Sequence, residues 1–284
     1  MMLKKLLDTP GVLMVPGAFD GLSALLVEQA GFAAVFLSGA SLSYARLGRA
    51  DAGLVTATEL ADACARIADR VGIPILVDGD SGYGNAVNLQ RTIALLERAG
   101  ASAVQIEDQV TLKPMAALLS RPLVPVAEML GRLRAAQDAR RSETLLISAR
   151  TDAQSSVDFA ETLDRCHAYV EAGCDLLLAE GLSSVAQAEE LAAEFGHRVP
   201  LIHNLLEVGA SPFRSADELV PLAFKVALFA GAAVQSAAHG MAATLAEVAG
   251  SGSTLARREA MLLAPEMAKL VGAPELAAAA KGWE

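Results

Sequence analysis

The chain has 284 residues, 53% of them hydrophobic and 20% charged, with a formal net charge of −10. That length holds one large domain with a well-buried core. The acidic balance, with no Lys/Arg cluster interleaved with aromatics, excludes a nucleic-acid partner. The three cysteines, Cys64, Cys166 and Cys174, are odd in number and lack metal-type spacing. They fit small core hydrophobes of a reduced, cytoplasmic protein. Met1–Leu7 is stopped by Asp8-Thr9-Pro10-Gly11, too soon for the core of a signal peptide. Ala227–Ala249 is apolar but interrupted by Gln235, His239, Thr244 and Glu247. A membrane span needs about 20 mostly apolar residues. The stretch is therefore expected to be a buried strand and then a buried helix, with no membrane partner.

Short apolar runs recur along the chain at Val12–Val15, Ala33–Leu37, Ile73–Val77, Ala103–Ile106, Leu145–Ala149, Leu176–Ala179, Leu201–His203 and Val226–Phe229. Segments with apolar residues at helical spacing lie between them, among them Ala57–Val71 and Ala86–Ala99. Gly31, Gly72, Gly100, Gly173 and Gly196 end several of these just before the next strand. Alternating strands and helices predict a parallel sheet covered by helices. Eight such units match a closed (β/α)8 barrel. The turn after the first strand, Pro16-Gly17-Ala18-Phe19-Asp20, is no dinucleotide fingerprint. One barrel domain over 1–284 is expected, with 254–284 as a C-terminal helical extension that pads the barrel or packs on a neighbouring subunit.

Barrel active sites lie at the C-terminal ends of the strands. Strand two runs into Ser38-Gly39-Ala40, strand three into Asp78-Gly79-Asp80-Ser81-Gly82-Tyr83-Gly84 and strand four into Glu107-Asp108. Arg150-Thr151-Asp152 follow strand five, Glu180 strand six and Asn204 strand seven. Asp108 or Asp152 taken alone reads equally well as a helix cap. Several converging carboxylates repel one another unless a cation joins them. Asp78, Asp80 and Glu107 are the candidate ligands, and an all-oxygen set suits Mg²⁺, with Mn²⁺ as a substitute. Zinc would call for histidine or cysteine. Arg150 offers a planar fork to a substrate carboxylate or to charge developing on an enolate oxygen; the alternative is an arginine that only ties the acids together. Ser38, Gly39 and Ala40 form a turn able to donate hydrogen bonds to a carboxylate, or a plain strand-to-helix turn.

Val-Pro-Gly-Ala-Phe-Asp (15–20), Phe-Leu-Ser-Gly-Ala (36–40), Val-Asp-Gly-Asp-Ser-Gly-Tyr-Gly (77–84), Ile-Glu-Asp-Gln (106–109) and Ala-Arg-Thr-Asp-Ala (149–153) occur in that order. This succession resembles the isocitrate lyase/phosphoenolpyruvate mutase superfamily from about Pro16 to Asn204. The resemblance implies a (β/α)8 barrel whose C-terminal helix is swapped between subunits of a dimer or tetramer. It also implies a Mg²⁺ site at Asp78, Asp80 and Glu107 and a small carboxylate substrate. Ser38, Gly39 and Ala40 match its carboxylate-binding turn, and Asp51, 27 residues before Asp78, matches an acid near the substrate. Arg150, Glu180 and Asn204 match substrate-side residues. Phe36, Tyr44 and Gln235 are candidates for recognition or for packing.

One loop departs from the family pattern. Methylisocitrate lyases and their relatives carry a Lys-Arg-Cys-Gly-His loop whose cysteine protonates the departing carbanion. Here that stretch reads Lys113-Pro114-Met115-Ala116-Ala117. A thioether has no proton to donate. The phosphonomutase branch typically shows Glu-Asp-Lys and a loop asparagine, where this chain has Gln109 and Met115. The resemblance therefore points to the smaller branch without the lyase cysteine, which includes oxaloacetate decarboxylases. The alternatives are a methylisocitrate or dimethylmalate type of carbon–carbon lyase using another acid, such as Tyr44 or Tyr83, a phosphonopyruvate-type mutase or hydrolase, and a non-catalytic carboxylate-binding barrel.

Overall fold

The computed structural model describes residues 2–110, 122–207 and 211–283. By compactness the chain divides into residues up to Val234 and residues from Gln235 onward.

The first unit is a barrel. Helix α1 (Met2–Asp8) precedes β1 (Leu13–Ala18), α2 (Gly21–Gln29), β2 (Val35–Leu37) and the one-turn α3 (Gly39–Leu42), which runs into a π-helical turn over Ser43–Leu47. Then come α4 (Ala57–Arg70), β3 (Ile75–Asp78), α5 (Ala86–Arg98), β4 (Ala103–Glu107), α6 (Val126–Ala139) and β5 (Leu146–Thr151). The one-turn α7 (Ala153–Ser156), α8 (Phe159–Glu171), β6 (Leu176–Ala179), α9 (Val185–Phe195), β7 (Leu201–Asn204) and β8 (Val226–Phe229) complete the order, before α10 (Ala232–Ser251). All neighbouring strands pair in parallel, and β1 pairs with β8 to close the barrel.

The strands lie within a few residues of the expected positions. β3 starts at Ile75 rather than Ile73, because Pro74 has no N–H for the ladder. The helices start where local chemistry stops the strand. Asp20, Thr56, Asn85, Asp158 and Ser184 each accept a backbone N–H from the first turn of the helix that follows.

Two apolar layers hold the barrel. The outer layer packs strand residues such as Val35, Val77, Ile106 and Ile147 against helix residues such as Ile67, Ile93 and Leu133. The inner layer fills the lumen with Phe36, Leu76, Ala103, Leu146, Leu178 and Ile202, among others. Leu3 and Leu7 of α1 belong to that inner layer, so α1 plugs the barrel's base. Each fully buried Leu or Ile contributes about 1.5–3 kcal/mol relative to exposure. Side chains alternate along a strand, and this alternation positions the site. Two residues beyond the inward-facing Leu76, Leu178 and Ile202 come Asp78, Glu180 and Asn204; four beyond Ala103 and Leu146 come Glu107 and Arg150. All five therefore face inward at the C-terminal mouth.

The second unit continues α10 and adds α11 (Ala264–Leu270) and α12 (Ala273–Ala280). Helix α10 departs from expectation: Val234 is its one buried residue, while Met241 and Leu245 are 60% and 66% exposed. An alanine-rich stretch looks apolar all round, and composition cannot show whether anything in the same chain covers it. Among the described residues no helix is long and apolar enough to cross a membrane. The three cysteines are free and buried, as read from their number and spacing.

Candidate active site

The acids are placed by the way β3 leaves the sheet. Past Asp78 the chain stays laddered to β4: the Gly79 amide donates to the Gln105 carbonyl at 2.8 Å, and the Glu107 amide to the Asp80 carbonyl at 2.9 Å. This approach leaves no room for a side chain at 79, where a Cβ would sit 2.8 Å from Val104 Cγ1 and 2.9 Å from the Gln105 oxygen. The next residue, Asp80, takes the left-handed backbone conformation at φ +47°, uncommon for non-glycine residues though least so for Asp and Asn. Its amide donates to Asp78 Oδ1 at 3.2 Å.

The result is that one oxygen from each of Asp78, Asp80 and Glu107 lies within 4.8 Å of the others. Glu107 is 3% exposed. Gly39 forms the adjoining wall. Its amide lies 3.4 Å from Asp78 Oδ2, and a Cβ there would fill the space 3.3 and 3.7 Å from the Oδ2 atoms of Asp78 and Asp80. Three hard oxygen donors and no imidazole or thiol fit a hard divalent cation such as Mg²⁺. The cysteines lie in the outer layer instead. Burial pushes the Cys64 and Cys174 thiols up to about 12 and raises Cys166 as well, so none is a reactive thiolate.

Arg150, 11% exposed by side chain, stands beside the acids. Its Nε and Nη2 donate to Asp152 Oδ2 and Oδ1 at 3.1 and 2.9 Å, and its Nε lies 3.7 Å from Glu107 Oε2. Burial disfavours the guanidinium charge, but Asp152, Glu180 and Glu107 outweigh it and raise its pKa well above the usual value. Asp152 is itself held. Gln109 Nε2 donates to its Oδ2 at 3.0 Å, and its amide donates to Asp108 Oδ1 at 3.1 Å. Asp108 Oδ2 in turn accepts from Tyr169 Oη at 2.8 Å and Arg165 Nη1 at 3.2 Å. Neither acid's side chain caps a helix: Asp152 precedes α7 without a capping bond, and Asp108 anchors the chain behind it. Arg165 and Tyr169 on α8, and Arg132 on α6, which donates to the carbonyls of Glu107 and Gln109 at 3.2 and 2.8 Å, went unnoticed in the sequence. An arginine one turn before a tyrosine looks like an ordinary helix face.

Several of the other candidates lie at the same mouth of the barrel. Ser38 is buried and accepts from the Ser41 amide at 3.3 Å, opening α3; Ala40 is half-buried beside it. Phe36 lies in the lumen's apolar layer two residues below Ser38, as floor to the mouth. Glu180 is 6% exposed and accepts from Asn204 Nδ2 at 3.3 Å. Asp51 is half-buried and joins Asp80 and Asp78 in facing the Tyr83 phenol. Burial first, and then those three charges, push that phenol well above its usual pKa. Tyr44 is 48% exposed on the π-helical turn. Gln235 belongs to the second unit. Lys113, Met115 and Ala117 lie outside the described residues.

Residues 3–249 match the family model described as phosphoenolpyruvate phosphomutase. The chain is 38% identical over 229 residues to 2-methylisocitrate lyase of Aeropyrum pernix, covering 81% of this chain and 73% of the relative. It is 32% identical over 272 residues to 2,3-dimethylmalate lyase of Eubacterium barkeri, covering 95% and 93%. Among solved structures, oxaloacetate acetylhydrolase in complex with the inhibitor 3,3-difluorooxalacetate superposes with a TM-score of 0.92 at 29% identity, over 99% of this chain and 95% of that one. Phosphonopyruvate hydrolase complexed with oxalate and Mg²⁺ superposes at 0.86 with 28% identity, over 98% and 96%. With its motifs in order on a closed eight-stranded barrel and the family model matched over most of its length, the chain belongs to the phosphoenolpyruvate mutase/isocitrate lyase superfamily of enzymes.

Proposed function

We propose that this enzyme is a divalent-cation-dependent lyase that cleaves a carbon–carbon bond of a small 2-oxo dicarboxylate through an enolate, decarboxylating oxaloacetate or a close analogue. The observation that carries the reading is the set of three carboxylates within 4.8 Å of one another, beside a guanidinium held on two points by Asp152. Asp78, Asp80 and Glu107 would hold the cation, Mg²⁺ or in its place Mn²⁺. When bound, it supplies Lewis acidity toward the substrate's 2-oxo and carboxylate oxygens.

The protein's own residues do the rest. The turn at Ser38, Gly39 and Ala40, floored by Phe36, orients the substrate carboxylate. Arg150 faces the oxygen on which negative charge grows as the bond to the distal carboxylate breaks and its electron pair passes into the enolate. A preorganised charged donor there favours the transition state over the ground state. Glu180, Asn204 and Asp51 line the substrate side and orient it. Water protonates the enolate carbon, so the reaction needs no dedicated thiol acid, in keeping with Met115 and Ala117 in the loop.

A second reading is cleavage of a 2-methylisocitrate or dimethylmalate type of substrate, favoured by the named activities of the two relatives. It requires a proton donor other than a loop cysteine, and Tyr83 is the phenol that faces the acids. Gln109, which donates to Asp152, stands where the phosphonomutases typically carry lysine, so phosphorus chemistry ranks below both. The test is turnover with Mg²⁺ of oxaloacetate, 2-methylisocitrate, dimethylmalate and phosphonopyruvate, each with and without excess chelator. Decarboxylation of a 2-oxo diacid lost on chelation and restored by Mg²⁺ or Mn²⁺ supports the proposal. Rapid methylisocitrate cleavage with no decarboxylation of any 2-oxo diacid overturns it.

We also propose that the barrel works as a homo-oligomer, a dimer or tetramer, assembled through residues 254–284. Leu255, Leu276 and Trp283 are 80%, 70% and 79% exposed in the single chain, more apolar surface than one short helical segment usually leaves to water. The buried free thiols fit a reducing, cytoplasmic setting.

A further inference from the structure

One layer below the charged mouth, the lumen changes character. Gln105 on β4 is in register with Asp78 on β3 and with Ser148 on β5, and the next inward pair up is Glu107 with Arg150. Residues two apart on a strand face the same way and are separated by roughly 6.6 Å. Gln105 and Ser148 therefore sit side by side directly under Glu107 and Arg150. Below them the matching pair is Ala103 and Leu146, part of the apolar floor. Barrel layers of this kind are ordinarily filled with branched hydrocarbon side chains.

Gln105 and Ser148 are 4% and 2% exposed. Among the described residues, no protein group hydrogen-bonds the Gln105 amide nitrogen, its amide oxygen or the Ser148 hydroxyl. Native interiors rarely leave even one such atom unsatisfied. Three on two adjacent side chains, walled by hydrocarbon below and charge above, call for a partner that is not protein. The partner must accept from the amide N–H, donate to the amide oxygen and exchange a hydrogen bond with the hydroxyl. Water does all three, and buried waters typically make two to four such bonds.

We propose that Gln105 and Ser148 form a hydration site inside the barrel, and that the water held there donates to the Glu107 carboxylate directly above, making Gln105 a positioning residue for the cation site. The direction of donation follows from the groups present. A carboxylate only accepts, whereas the amide N–H and the hydroxyl can each give a hydrogen to the water; of the water's own two hydrogens, one goes to the amide oxygen and the other up to Glu107. Glu107 is thus braced from beneath, as Asp78 is by the Gly39 amide from the side. The link to the cation rests on the function proposed above; the hydration site itself does not.

The experiment compares the wild type with Gln105→Met, Ser148→Ala, the double variant and Ser148→Thr, which keeps the hydroxyl. Three readouts are taken: Mn²⁺ affinity of the substrate-free protein by paramagnetic resonance, the melting midpoint of the metal-free protein, and a high-resolution crystal structure of the wild type. An ordered water on Gln105 and Ser148 is expected. Gln105→Met and Ser148→Ala should each weaken Mn²⁺ binding about tenfold, as loss of groups that brace metal ligands commonly does. The double variant should be scarcely worse than either, because either change expels the same water, and Ser148→Thr should retain affinity. A dry layer in the crystal, with a higher melting midpoint for the apolar double variant and unchanged Mn²⁺ affinity, overturns the proposal. If wild-type protein binds no Mn²⁺, the cation site of the proposed function fails and the bracing role with it. The crystal structure and the metal-free melting comparison then decide the hydration site alone.

Discussion

Replacing Asp152 with asparagine probes the arrangement most directly, because the side chain keeps its shape and loses its charge. Arg150 now makes two short contacts to Asp152, the nearer at 2.9 Å, and a longer one to Glu107 at 3.7 Å. At an effective dielectric of about 20, unit charges attract by about 5.7 kcal/mol at the first distance and about 4.5 kcal/mol at the second. Without the Asp152 charge, the guanidinium gains by closing on Glu107, and the difference, about 1 kcal/mol, opposes a cation for the same carboxylate. Asp152→Asn should therefore weaken Mn²⁺ binding roughly fivefold to tenfold. It should also lower kcat by about 10²-fold, the scale of losing one well-placed charge-stabilising donor. Glu107 and Glu180 still compensate the arginine, so the loss of stability should fall at or below the low end of the roughly 3–5 kcal/mol seen when one partner of a buried pair is removed. The assays are Mn²⁺ titration, steady-state decarboxylation and chemical denaturation on the same preparation. A variant that is destabilised but keeps wild-type Mn²⁺ affinity and kcat would refute the claim that Asp152 aims Arg150, leaving the pair a structural tie.

Four further outcomes are expected. Asp80→Asn, which tolerates the left-handed backbone and removes one of three crowded charges, should raise the melting midpoint of the metal-free protein, by about 1 kcal/mol of stability, while abolishing Mn²⁺ binding; retained binding would remove Asp80 from the ligand set. Gly79→Ala must push its Cβ against Val104 and the Gln105 carbonyl and should cost about 1–3 kcal/mol by denaturant titration. Burial lowers the His203 pKa from 6.5 to about 4, so the unfolded chain takes up a proton that the folded one refuses. Stability should then fall as pH drops from 6.5 towards 4, by about 3 kcal/mol from this group, and His203→Phe should remove that share of the slope in denaturation curves across the window. Truncation after Gly252 should reduce the oligomer mass measured by light scattering; an unchanged mass would show that the last helices are not the link.

Much of this protein follows from local pattern. Runs of three to five mainly apolar residues, several of them preceded by glycine, announce eight buried parallel strands, because a strand covered on both faces needs no polar alternation. The acids and the arginine were legible for a related reason. A charged residue directly after such a run has few places to be except the strand's end, and in a closed barrel all strand ends share one mouth. Asp78, Glu107, Arg150 and Glu180 can be named on that ground from the sequence, whereas the need for glycine at 79 comes from how closely the chain approaches Val104 and the Gln105 carbonyl. What only the tertiary structure decided depends on register between strands that are distant in sequence. That Asp152 grips Arg150 through both oxygens, and that Asp108 turns back to Arg165 and Tyr169, requires β4, β5 and α8 to be in contact. The residues involved are separated by up to 61 positions, and no spacing rule connects them. Gln105 and Ser148 were equally silent, since each looks like one polar interruption of an apolar strand until the Gln105–Ser148 register places them in a single buried layer. The apolar stretch of α10 shows the converse. Its composition reads as core, yet burial is a property of what lies opposite a side chain, and only the folded chain shows Met241 and Leu245 left exposed.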